Sequence, residues 1–147
     1  MKQLLFLFSL TLLFAGCQSA SPEEGGDDAS EASPEMAAFE AQQENFHTVM
    51  AATFHPAEEG NIDPLREKAG DLTAAAKTWS GLTLPGEYTE TDLEARLAEL
   101  VRGSERIEGL IQSEAADSTL QQAITNLHEV FHGIMGECKD AEEHHMH

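Results

Sequence analysis

Basic residues are scarce in this chain of 147 residues, which has 8 Lys and Arg against 27 Asp and Glu and a formal net charge of −19. So acidic a surface repels nucleic-acid phosphates, which excludes an electrostatic nucleic-acid binder. With only 2 cysteines, the chain also lacks the material for a disulfide scaffold. Because acidic surfaces attract cations, the composition favours a metal cation as the partner.

The strict alternation of polar and apolar residues that marks half-buried strands is also missing. Instead, four segments place apolar residues at helical spacing, and short connections join them. We therefore predict an all-α fold, an up-down-up-down four-helix bundle. The side chains predicted to face inward are Phe39, Phe46, Val49, Met50, Thr53, Leu65, Ala69, Leu72, Ala76, Trp79, Leu93, Leu97, Leu100, Ile107, Ile111, Leu120, Ile124, Leu127, Phe131, Ile134 and Cys138.

Caps and helix breakers give the expected helix ends. The first helix is predicted over about residues 34 to 54, ending before Pro56. The second opens with Asp63 as N-cap and Pro64 in its first turn; the third opens with a Thr91/Glu94 capping box; the fourth opens near Ser118.

The chain divides into four parts by composition. Residues 1–16 have one Lys, an apolar run and a small-residue end, the pattern of a secretory signal peptide that is too short to span a bilayer. Residues 17–33 have no large apolar residue and predict an acidic flexible tether. Residues 34–143 form the predicted bundle, and 144–147 a disordered His-rich tail.

The stretch Leu13-Phe14-Ala15-Gly16-Cys17 resembles the lipobox of bacterial lipoproteins. That resemblance implies cleavage before Cys17 and attachment of acyl chains such as palmitate to it. Gln18, which is not Asp, implies sorting to the outer membrane, on either its periplasmic or its surface face. We therefore expect the protein to be held at the membrane only by the lipid on Cys17.

Histidines on the first and fourth helices are the candidate ligands. His128 and His132 are spaced i, i+4, so both imidazoles lie on one face of a helix and can chelate one ion. Placing Phe54 opposite Leu120 in an antiparallel pair brings His47 level with His128. Thioethers lie near this level at Met50 and Met135. A copper or zinc site follows from this set.

Other interpretations of the same residues stay open. The letters of His128-Glu129-Val130-Phe131-His132 match the HExxH motif of zinc hydrolases, but no suitable third ligand follows them in sequence except in the His-rich tail, and the chain has no sheet to line a substrate cleft. We therefore expect no enzyme. Histidines at a core boundary are also common as incidental polar groups, which would leave a structural or protein-interaction module.

The predicted layout, with a methionine on the first helix and a histidine on the fourth, resembles the cytochrome c′ and cytochrome b562 group. The attachment signal CxxCH is absent, so only a b-type haem held by Met50 and His128 would follow from that resemblance. The stretches TFHPAEEGN and LHEVFHGIMGEC are similar to those of small bacterial envelope lipoproteins, which implies no activity. The leading expectation is a lipid-anchored envelope protein that buffers, senses or transfers a metal ion.

Overall fold

The structure is a computed structural model that describes the backbone of residues 33 to 145 and the side chains of residues 33 to 141. The predicted signal peptide, the lipidated Cys17 and almost all of the acidic tether lie outside the described residues. The four long helices are α1 (Pro34–Glu58), α2 (Asp63–Ser80), α3 (Leu93–Gln112) and α4 (Asp117–His145), with a 3₁₀ turn at Gly86–Tyr88. No strand occurs in the described part, so the all-helical expectation is confirmed.

Helix α1 begins where the sequence predicts and ends later. The Ser33 hydroxyl accepts the Met36 N–H at 3.1 Å and so caps the first turn. The predicted end at residue 54 is wrong, because the helix continues through Pro56 to Glu58. Proline here lacks only one N–H in the final turn, and the Asn61 N–H donates to the Pro56 carbonyl at 2.8 Å to close the helix end.

The other helix starts are near the predicted positions but use different caps. Asp63 is the first residue of α2, and its N–H donates to the side chain of Asn61 at 3.2 Å. Thr91 accepts the Leu93 N–H at 3.2 Å, so the predicted reciprocal pairing with residue 94 is replaced by a shorter-range bond. Helix α4 extends to His145, beyond its predicted end at residue 143.

The helices enclose one hydrophobic core. Each helix packs against the next along the chain, and α1 also packs against α4. Nearly all the predicted inward positions are buried, while Val49 and Ile111 are half-buried at the edge. Burial of this apolar surface is the main force holding the helices together.

The contact between α1 and α4 is the sparsest of the four helix pairings, and ring side chains span it. From one end to the other, the ring pairs are Phe46 with Phe131, and then Phe54 with His128. Residue numbers rise along α1 while they fall along α4, so the two helices are antiparallel. Within the described residues, no helix is long and apolar enough to cross a bilayer.

Candidate metal site on the flank of α1 and α4

His128 is held on the flank of α4 by two aromatic neighbours. Its ring stacks on Phe54 of α1, with centroids 3.8 Å apart and planes 17° from parallel. Its other neighbour is His132, one turn along α4, whose ring meets it edge to face at 4.4 Å and 87°. The i, i+4 spacing predicted this pairing, and the two imidazoles are confirmed as adjacent.

Burial lowers the pKa of His128 below its ordinary value of 6.5, and the nearby His132 lowers it further. Glu58 opposes the shift, while His55 and His47 add smaller contributions in the same direction as burial. His128 is thus neutral at pH 7 and keeps a nitrogen lone pair that no proton occupies. A neutral imidazole is the form that binds a metal ion.

His47 of α1 lies on the same flank, beside Phe131, which is three residues after His128 on α4. Its ring stacks on Phe131 at 5.6 Å and 13°, and Phe131 in turn lies 6.2 Å from His132. Its side chain is 55% exposed, with Nδ1 3.8 Å from a Glu44 carboxylate oxygen. The predicted level was therefore about one helical turn off, since His47 lies beside Phe131 and not opposite His128.

His55 closes the other end of this row of imidazoles. Its Nδ1 lies 3.3 Å from the Glu58 carboxylate, one turn later on α1, and both side chains are more than half exposed. The ring also packs against Phe54 at 5.5 Å. The flank therefore has a nitrogen and oxygen donor pair beside the ring on which His128 stacks.

The two methionines are placed differently from the histidines. Met50 is 1% exposed and belongs to the core. Met135 is half-buried against the core. Neither thioether forms a hydrogen bond with an imidazole of the described residues, so the nitrogen donors are the better-placed ligands on this flank.

The glutamate of the HExxH letters is exposed on α4, between the two histidines in sequence. Among the residues whose side chains are described, no group of three or more His, Cys, Asp or Glu is gathered closely enough to hold a metal ion as it stands. His128 and His132 thus form a two-residue pair, and a metal site there would need a third ligand. Cys17 and the side chains of His144, His145 and His147 lie outside the described set.

Phe54 is the residue of this site that the sequence did not single out. It is 6% exposed, and its ring is the surface on which His128 lies. Its position four residues after Met50 on the apolar stripe of α1 was a usable signal. Ending the predicted helix at residue 54 concealed it.

No family model, curated protein or solved structure matches this chain.

Proposed function

We propose that this protein is a lipid-anchored bacterial envelope protein that binds one copper or zinc ion at His128 and His132, with His47 as a third ligand. The bound ion is buffered, sensed or passed on, and no catalytic step is assigned. In this proposal the helices follow an up-down-up-down order, which sets the α1 and α4 flanks side by side.

The adjacency of His128 and His132 carries the proposal. A tetrahedral zinc ion holds two imidazole nitrogens about 3.3 Å apart, each at about 2.0–2.1 Å from the metal. The two rings lie on one helix face with centroids 4.4 Å apart, close enough that rotation of the side chains could turn one nitrogen of each toward a shared ion. Since α-helical backbone fixes the two Cα positions, little conformational freedom is lost on binding.

His47 supports the proposal as the ligand that moves. Its side chain is 55% exposed and held by stacking on Phe131, so a rotamer change frees the ring without opening the core. The alternative third donor is the His55 and Glu58 pair at the other end of the row. The low pKa of His128 favours either arrangement, because no proton has to be displaced at pH 7.

The test is calorimetric titration of Zn²⁺ and Cu²⁺ into the full-length chain with His144, His145 and His147 replaced by Ala, which removes the tail imidazoles. We expect one ion per chain at about micromolar affinity or tighter. His128→Ala/His132→Ala should weaken binding by more than about 100-fold, since even indirect loss of ligand support costs 10- to 100-fold. His47→Ala should cost about tenfold.

The matched control is His55→Ala, which removes an imidazole from the same flank. If His47 is the third ligand, this variant keeps its affinity within about threefold; a larger loss in His55→Ala than in His47→Ala would transfer the role to the His55 and Glu58 pair. Binding that survives in His128→Ala/His132→Ala would refute the site. In that case a tethered interaction module becomes the better account, and a Soret band in the purified protein would instead point to haem.

Trp79 offers an optical signal for the same titration. It is the single tryptophan and contacts Phe131 at 6.2 Å, and Phe131 contacts both His47 and His132. Cu²⁺ bound on this flank should therefore quench tryptophan fluorescence in a saturable way. Loss of that quenching in His128→Ala/His132→Ala would locate the ion independently of heat.

A further inference from the structure

A groove of about 570 Å³ runs between α3 and α4, on the side of α4 away from the histidines. Its floor forms where the Leu127 side chain of α4 packs against Gly103 of α3. A methyl group added at Gly103 would lie 2.6 Å from the Leu127 side chain. The groove therefore exists beside a tight helix contact, and its size is that of a small-molecule site.

Two arginines lie along the α3 wall of this groove. Arg102 and Arg106 are spaced i, i+4, so they lie on one helix face about one turn apart. Neither forms an ion pair or side-chain hydrogen bond with a described residue. The other two arginines are engaged, Arg66 with Asp117 at 2.7 Å and Arg96 with Glu137 at 3.1 Å.

Guanidinium groups with no carboxylate partner among the described residues are unexpected in a chain with 27 acidic residues. Glu99 is the one carboxylate among the residues that line the groove, and it forms no ion pair there. Planar guanidinium forks match the oxygens of carboxylate and phosphate groups in two-point hydrogen bonding. This wall thus presents two such forks with no partner from the described residues.

The α4 wall supplies uncharged donors and an apolar surface. Asn126 accepts a hydrogen bond from Gln122 at 2.9 Å, which leaves its own amide N–H groups free to donate. Ala123, Leu127 and Val130 add apolar contact area to the same groove. Charged forks beside an apolar strip are complementary to a molecule that is anionic at one end and apolar at the other.

We propose that this groove binds a small amphiphilic anion, with its phosphate or carboxylate head group on Arg102 and Arg106 and its apolar part along Ala123, Leu127 and Val130. This site is separate from the proposed metal site and takes a ligand of opposite charge. The two sites occupy different flanks of α4. The long-range repulsion from the acidic chain restricts the groove to ligands whose apolar contacts add to the charge pairing.

The experiment titrates the full-length chain with hexyl phosphate, hexanoate, inorganic phosphate and hexyltrimethylammonium, all short enough to stay monomeric. Binding is followed by calorimetry. We expect saturable one-to-one binding of hexyl phosphate or hexanoate, and the tighter of the two identifies the head group. Arg102→Gln/Arg106→Gln should weaken it by about tenfold or more, because two charge-assisted hydrogen-bonding groups are removed.

The matched control is Lys68→Gln/Lys139→Gln, which removes the same two charges from exposed positions that do not line the groove. It should keep the affinity within about twofold. Equal losses in the two double variants, no saturable binding of either amphiphilic anion, or tighter binding of hexyltrimethylammonium would each overturn the proposal. If inorganic phosphate binds as tightly as hexyl phosphate, the proposed apolar contact of the ligand with Ala123, Leu127 and Val130 is wrong.

Discussion

The two flanks of α4 are built in opposite ways. Toward α1, ring side chains fill a sparse helix contact, and four imidazoles lie at or near its surface. Toward α3, the Leu127 side chain packs closely on Gly103, and the open groove beside this contact is lined by two arginines that pair with no described residue. Helix α4 thus has imidazoles, which can bind a metal ion, on its α1 side and guanidinium groups, which donate hydrogen bonds, on its α3 side.

This difference follows from side-chain size. Large rings hold helices apart and leave imidazoles near the surface, where His47, His55 and His132 are exposed and His128 is half-buried. A glycine allows close approach, so the long side chains next to it have no interior to enter and extend over the groove. The character of each flank is therefore set by what stands at the helix contact, and the substitutions below test that cause.

The largest expected effect is on the ring-filled side. Phe131→Ala removes a side chain that is 4% exposed and contacts the rings of Phe46, His47, Trp79 and His132. We expect a loss of about 3–5 kcal/mol in the free energy of unfolding, measured with urea. Its neighbour Val130 faces the groove and is half-buried, so Val130→Ala should cost about 1 kcal/mol or less. Similar losses in the two variants would contradict the contrast between the flanks.

A pair of glycines on α3 tests the tight contact. Gly103→Ala places a methyl group 2.6 Å from the Leu127 side chain, whereas Gly109→Ala meets nothing within 4 Å. Gly109→Ala should raise the free energy of unfolding by about 0.5–1 kcal/mol through helix propensity alone. The free energy of unfolding of Gly103→Ala should be about 1–3 kcal/mol lower than that of Gly109→Ala, because the buried Leu127 side chain has to shift to admit the methyl group. Thermal unfolding of both variants at pH 7 measures the difference; equal melting temperatures would refute the close approach.

The pH dependence of stability tests the burial of His128. Because burial lowers the pKa of His128 in the folded chain, the unfolded chain binds more protons below about pH 6.5. Above that pH His128 is neutral in both states, so its burial costs no stability. As the pH falls below about 6.5, the free energy of unfolding decreases because protonation favours the unfolded chain. Relative to His128→Gln, the metal-free wild-type chain should lose stability from pH 7 to 5, at no more than about 1.4 kcal/mol per pH unit for one proton.

The groups facing His128 define the control for this measurement. They are Phe54, His47, His55 and Glu58 from α1, and His132 on its own helix. His55→Gln removes an exposed imidazole that contributes less to the shift of His128 than burial does, so it should change the pH dependence less than His128→Gln. A slope unchanged in His128→Gln would mean that burial of this ring does not govern the effect.

The smallest expected effect is that of a substitution on one flank of α4 on binding at the other flank. Arg102→Gln/Arg106→Gln should leave zinc affinity within about twofold, and His128→Ala/His132→Ala should do the same for hexyl phosphate, because separated sites without shared partners behave additively. Calorimetry of both ligands with both variants completes the comparison. A reciprocal loss of more than about fivefold would mean that α4 couples the sites.

The sequence was sufficient for the helices and the core, because apolar spacing depends on local periodicity alone. Positions such as Leu65, Trp79 and Ile124 are buried as that periodicity predicts. The pairing of His128 with His132 was predictable for the same reason, since i and i+4 are neighbours on any helix. Local rules thus gave both the fold class and half of the candidate site.

Contacts between helices were predicted less well, and the cause is a single residue. Taking Pro56 as the stop for α1 set Phe54 opposite Leu120, whereas α1 continues by about one turn and the Gln121 side chain reaches the carbonyl of Ala57. That turn moves His47 from His128 to Phe131. Local rules also could not predict that Arg102 and Arg106 form no ion pair with a described residue, because ion pairing depends on where carboxylates distant in sequence lie.

The bond from Gln121 to α1 has a consequence for local unfolding. Its Nε2 donates to the Ala57 carbonyl at 2.8 Å, so the final turn of α1 is fastened to the first turns of α4. On the other side of the same end, Arg66 of α2 donates to the Ala115 carbonyl at 3.3 Å before α4 begins. Helix ends usually fray independently, but these two hydrogen bonds link three chain segments, so we expect the three to open together. Amide hydrogens around residues 58–62 should therefore exchange with solvent in step with those that open α4, as one cooperative unit.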